Sequence, residues 1–134
     1  MDSETRTYRT GGDEVVLDIT RDATAFAQSR GEGLLHVFVP HATAGIAIIE
    51  TGAGSDDDLL AALADLLPRD DRWRHRHGSR GHGRSHVMPA LVPPYATVPV
   101  LGGQLALGTW QSICLVDLNV DNAEREVRFS FLAG

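Results

Sequence analysis

Four of the six histidines fall within twelve residues, as His75-Arg76-His77 and His82-x-x-x-His86. Histidine exchanges a proton near neutral pH and is the commonest metal ligand, so the cluster suits either acid–base work or a bound divalent cation. A His-x-His pair is a frequent ligand pattern and Glu50 could complete a site, yet an exposed loop rich in His and Arg would look the same with no metal. His41 lies between Pro40 and Thr43 at a predicted strand end, where sheet proteins present reactive groups. His36 sits inside an apolar run and reads as a satisfied sheet residue. The single cysteine, Cys114, is flanked by Ile113 and Leu115 and reads as inert packing.

Charge reinforces the first motif. Between Arg69 and His86 stand six arginines and two aspartates, a segment of +4 in a chain whose net charge is −6. The rest carries −10, so one basic patch rides on an acidic body. All twelve basic residues are arginine, whose planar fork suits phosphate and carboxylate. An anionic ligand follows more directly than a metal does, and the alternative is a solvated loop. The acidic balance and the lone aromatic of that segment, Trp73, speak against RNA or DNA as partner.

The elements that must position these groups form one domain over residues 1–134, since 134 residues hold one core. No apolar run approaches the roughly 20 residues of a membrane span. The acidic start Met1-Asp2-Ser3-Glu4 is unlike a secretory signal, so a cytoplasmic location is expected. After a polar N-terminal stretch, Val15–Ile19 reads as a strand, and Thr20 as the cap of a short helix ended by Gly31 and Gly33. Leu34–Val39 and Gly45–Glu50 read as neighbouring strands. Ser55 reads as a hydroxyl cap before Asp56, Asp57 and Asp58, whose carboxylates suit a helix N-terminus better than a metal cluster. Leu59, Leu60, Leu63, Leu66 and Leu67 follow at helical spacing. Residues 69–86 form a loop long enough to be either functional or poorly ordered. Thr97–Val100 and Gln104–Leu107 flank Gly102-Gly103 as a hairpin, and Ser112–Asp117 and Arg125–Leu132 alternate as strands. The sum is an α+β fold: a mostly antiparallel sheet of about seven short strands with two main helices.

The order of motifs resembles the YjbQ-like family, the group named secondary thiamine-phosphate synthases. Pro40-His41-Ala42-Thr43-Ala44-Gly45-Ile46 with Glu50 is similar to that family's Pro-His run ending in a glutamate, and His75 and His86 to two later histidines. Most specific is Gly102-Gly103-Gln104-Leu105-Ala106-Leu107-Gly108-Thr109-Trp110-Gln111-Ser112-Ile113, which resembles its Gly-Thr-Trp-Gln hallmark. Ile49, Gly83-Arg84-Ser85, Met88 and Pro93-Pro94-Tyr95 depart from the family pattern.

The resemblance implies a homotrimer with sites near subunit boundaries, and an activity that joins a pyrimidine pyrophosphate to a thiazole phosphate with release of pyrophosphate. On this reading His41, His86, Glu50 and Thr43 are the catalytic group, and Arg76, Arg84, Thr109, Trp110 and Gln111 bind a small phosphorylated molecule. His41, His75, His77 and His86 are the candidate ligands of a divalent metal such as Zn²⁺, and Mg²⁺ would arrive with the substrate. The alternative function is a non-catalytic or metal-dependent module that binds a phosphate-bearing small molecule.

Overall fold

The computed structural model describes residues 1–134. Eight strands and two α-helices are arranged as β1 (Asp2–Arg9), β2 (Val15–Asp18), α1 (Thr20–Ala27), β3 (Gly33–Phe38), β4 (Ala44–Ile49), α2 (Ser55–Leu66), β5 (Tyr95–Leu101), β6 (Gln104–Leu105), β7 (Ser112–Asp117) and β8 (Glu124–Ala133). Two short 3₁₀ turns, His82–His86 and Met88–Ala90, lie between α2 and β5. The strands form a five-stranded sheet ordered β1-β8-β3-β5-β6 and a three-stranded sheet ordered β2-β7-β4, and all pairs are antiparallel. The α+β expectation holds.

The two sheets close on one core. Leu35, Val37, Val98, Val100, Val127, Phe129 and Phe131 from the larger sheet meet Ile46, Ile113 and Leu115 from the smaller one, with Ala23, Phe26 and Ala27 of α1 closing the end. Strand β7 is buried on both faces. Its Val116 and the following Leu118 pack into a second cluster with Leu63, Leu67, Met88 and Val92, so the three-stranded sheet is a middle layer between the larger sheet and α2. Buried on both sides, β7 is the most constrained strand of the chain, and the groups at its C-terminal end inherit that rigidity.

Several expectations need correction. The N-terminal stretch is not irregular: β1 pairs with β8 over its whole length, from Asp2 opposite Phe131 to Arg9 opposite Glu124. Its residues are mostly exposed, as an edge strand permits, so no apolar alternation betrays it. β3 and β4 are consecutive but belong to different sheets, so the loop Val39–Thr43 crosses from one layer to the other. Thr20 is not a cap. Its amide donates to Asp18 Oδ1 at 2.9 Å, while its hydroxyl accepts the Ile113 amide at 2.8 Å and ties α1 to β7. Ser55 is the first residue of α2 rather than its cap; Gly54, with φ of 106°, precedes it and turns the chain. Leu66 is exposed, because α2 buries its face through Leu63 and Leu67. The Gly102-Gly103 hairpin is as expected, both residues having positive φ as a type I′ turn requires.

Candidate functional site

Residues 67–86 leave α2 and fold back against the C-terminal end of the middle sheet. Trp73 anchors the segment: its indole N–H donates to Pro68 O at 2.8 Å, and its ring packs on the second core. Arg84 is 3% exposed, donates to Leu67 O at 2.9 Å and pairs with Glu14, which also receives Arg69 at 2.8 Å. Arg84 is therefore a structural tie, not the substrate-binding arginine expected of it. Arg76 is exposed, its guanidinium donating to Trp73 O and Asp71 O at 3.1 Å each.

This packing gathers histidines. His75, His82 and His86 each bring a ring nitrogen within 4.8 Å of the other two. His82 Nε2 and His86 Nε2 stand 2.9 Å apart, and His75 Nδ1 is buried without a partner. The other nitrogen of His82, Nδ1, faces Asp121 Oδ2 at 3.0 Å, and Asp121 also accepts the amide and hydroxyl of Ser79 at 3.1 Å each. That carboxylate fixes the His82 proton on Nδ1 and turns the Nε2 lone pair inward, as outer carboxylates do for metal-binding histidines. The Ser79 amide, its hydroxyl and His82 hold Asp121 below the usual carboxylate range. Burial, and then the neighbouring histidines, push His75 and His86 below the ordinary histidine value. Both are therefore neutral at pH 7 and offer lone pairs. Three converging histidine nitrogens, on a cluster that also holds an orphaned His75 Nδ1, fit a borderline divalent cation of the Zn²⁺ type better than an oxygen-seeking Mg²⁺.

Two cavities flank the cluster. One, of about 310 Å³, is lined by His77, His82 and His86 on one side and by His41, Thr43, Asn119, Asn122, Glu124 and Arg125 on the other. The second, of about 180 Å³, lies between His75 and His82 and the loop residues Asp70, Asp71, Arg76 and Arg80. His41 reaches the larger cavity but has its Nε2 occupied, accepting the Glu126 amide at 2.9 Å. Its proton is thereby placed on Nδ1, so neutral His41 presents a donor rather than a base or a ligand. Burial, and then the Arg125 charge, lower its pKa. His77 packs on His75, with ring centroids 3.9 Å apart, and stands outside the converging three. Thr43 is buried beside Arg125, whose Nη2 donates to the Thr43 hydroxyl at 3.4 Å.

Glu50, Thr109, Trp110 and Gln111 line neither cavity. The register explains it. Ala44 pairs with Asp117 and Ile49 with Ser112, so Glu50 and Gln111 sit at the far end of the middle sheet, a strand length of roughly 20 Å from His41 and Arg125. There the Gln111 side chain accepts the Gly108 amide at 2.7 Å, and Trp110 is 73% exposed.

A family model described as UPF0047 protein YjbQ-like matches residues 4–134. The chain belongs to this family. A UPF0047 protein of Mycobacterium bovis is 63% identical over 119 residues, covering 89% of this chain and 92% of the relative. One from Archaeoglobus fulgidus is 30% identical over 121 residues, 90% of this chain and 94% of the relative. Among solved structures, a hypothetical protein from Aeropyrum pernix superposes with a TM-score of 0.88 at 30% identity over the full length of both chains. A conserved hypothetical protein from Thermus thermophilus gives 0.84 at 31% identity, over 96% of this chain and 99% of the other. The YjbQ-like membership expected from Gly108-Thr109-Trp110-Gln111 is thus shown, and the α+β fold with it.

Sequence reasoning missed two participants. His82 is visible in the His82-x-x-x-His86 spacing but is not among the ligands expected from the sequence. Asp121, in the turn between β7 and β8, is about forty residues from the histidines and had no local signal.

Proposed function

We propose that this protein holds a divalent metal on His75, His82 and His86 and uses the adjoining cavity to handle a phosphate-bearing small molecule. The observation that carries this is the convergence of three histidine nitrogens, oriented by Asp121 and opening on a polar cavity. When bound, the metal would supply charge neutralisation for phosphoryl oxygens. His82 is held in one tautomer by Asp121, and His41 directs an N–H donor. The reaction we propose joins a pyrimidine pyrophosphate to a thiazole phosphate: a carbon–nitrogen bond forms, the carbon–oxygen bond to pyrophosphate breaks, and pyrophosphate leaves. Mg²⁺ would accompany the pyrophosphate. Purified protein, incubated with both precursors and Mg²⁺ and freed of contaminating synthase, should form thiamine phosphate; absence of product sinks this activity.

A second reading, binding without turnover, is favoured by His41, whose free lone pair is already engaged by the Glu126 amide. It predicts stoichiometric ligand and metal binding with no product. We further propose that the protein is a cytoplasmic homotrimer. Glu50, Thr109, Trp110 and Gln111 stand a strand length from the histidines of their own chain, so they contribute to a site only if they meet the cavity of a second copy.

A further inference from the structure

Arg125, the second residue of β8, lines the larger cavity and is 3% exposed. Its Nε lies 2.6 Å from Asp117 Oδ2, an ion contact without hydrogen-bond alignment, and Asp117 itself is fully buried. A guanidinium carries five N–H donors. Nε meets Asp117, one Nη1 hydrogen goes to Glu124 O at 3.1 Å, and one Nη2 hydrogen reaches Thr43 Oγ1 at 3.4 Å. Two donors remain, one on each terminal nitrogen, on a buried charge that borders a cavity. Were Arg125 present only to neutralise Asp117, a two-pronged contact through its terminal nitrogens would be the stronger arrangement. Here the side nitrogen makes the ion contact, and one N–H on each terminal nitrogen is left over.

The surrounding wall is rich in donors. The Asn122 side-chain oxygen accepts from Asn119 Nδ2 at 2.9 Å, which leaves the Asn122 amide hydrogens unassigned. His41 offers Nδ1–H. The one carboxylate among the lining residues, Glu124, is paired with Arg9 at 3.5 Å.

We propose that Arg125 is the anion anchor of this cavity, its two free N–H groups binding phosphoryl oxygens of the ligand. The proposal rests on reading the cavity as a phosphate-handling site, but not on the metal. It makes Arg125, rather than the exposed arginines of residues 69–80, the residue that discriminates a phosphorylated ligand from its dephosphorylated form.

The test is calorimetric titration of inorganic pyrophosphate into wild-type protein and Arg125→Lys, each in chelator-treated and zinc-loaded form, with zinc content measured separately. Wild-type protein should bind pyrophosphate in both forms. Arg125→Lys, which keeps the charge beside Asp117 but loses the fork, should bind at least about tenfold more weakly in both while retaining its zinc. If Arg125→Lys does not fold, the Asp117→Asn/Arg125→Gln double variant removes both buried charges together and should also lose pyrophosphate binding. Undiminished affinity in either variant overturns the proposal, as does wild-type protein that binds no pyrophosphate in either form. Failure to bind zinc alone counts against the metal centre and leaves the anchor standing.

Discussion

Asp121 lines neither cavity, yet three groups converge on it, one of them the ring of His82, and its removal should be felt at the metal. Asp121→Asn should lower zinc affinity about 10–100-fold, whereas His82→Gln should abolish stoichiometric binding and His77→Gln should leave it nearly intact. Elemental analysis with competition against a chromophoric chelator distinguishes the three. The same histidines give a pH dependence. His41, His75 and His86 all have pKa values depressed by burial, below the ordinary 6.5. Between their folded values and 6.5 the unfolded chain binds more protons, so the metal-free protein should gain stability as pH rises through that window and level off above 6.5. Asp117, whose carboxyl burial pushes up, contributes with the reverse sign above its own ordinary value. Thermal melts of chelator-treated protein across the window should rise with pH; a flat or falling series would contradict the neutral cluster. Much of this was readable from residue types alone, since histidine spacing and arginine density marked residues 69–86. What escaped was the partner on a distant turn, because hydrogen bonds between loops leave no periodic trace.

At the scale of elements, glycine at two contacts governs how closely segments approach. A Cβ at Gly83 would lie 2.4 Å from both His75 O and Trp73 Cβ, within the turn that presents the histidines. A Cβ at Gly45 would lie 2.1 Å from Val92 O, between the middle sheet and the segment after the second 3₁₀ turn. Both Gly→Ala variants should cost about 1–3 kcal/mol of stability by overpacking. Only Gly83→Ala should also weaken zinc binding, because the atoms it displaces belong to the His75 turn; equal effects of the two on zinc would detach the site from this packing. α2 and β8 were legible because their apolar residues repeat with the period of the element, β4 and β7 because they are apolar runs of strand length, and the hairpin because Gly102-Gly103 marks its turn. β1 was not, since an edge strand carries its order in backbone pairing with β8. Nor was the division of β3 and β4 between sheets, which depends on the chirality and packing of layers rather than on either strand's composition. The segment 69–86 gave no choice between order and disorder on composition; Trp73, Arg84 and Asp121 decide it by tying the segment to the end of α2, to Glu14 just before β2 and to the β7–β8 turn.

For the whole molecule, the outer face of the five-stranded sheet exposes Leu34, Phe38, Tyr95 and Leu132 around His36, whose ring stacks 5.7 Å from that of Tyr95. A monomer would leave this surface in water, and closed oligomers are the usual remedy. For the proposed homotrimer, light scattering should give about three times the 14.5 kDa chain mass, and Leu132→Asp with Tyr95→Asp should reduce it if this face is the contact. A wild-type monomer across a wide concentration range would remove the trimer and with it any shared site. No helix of the structure is long and apolar enough to cross a membrane.

Cys114 sits in the central strand of the middle layer, fully buried, between Asp18 of β2 and Ala47 of β4, and burial pushes its thiol up to about 12. Because it is the only cysteine, a thiol-selective reagent has one target in the entire chain, and that target becomes reactive only when both layers part. The rate of labelling is thus a clock for global opening, with no background from any second thiol. A metal bound by the folded state alone should slow that clock by the factor one plus its free concentration over Kd, about a hundredfold at a hundred times Kd, and His82→Gln should leave it ticking at the metal-free rate.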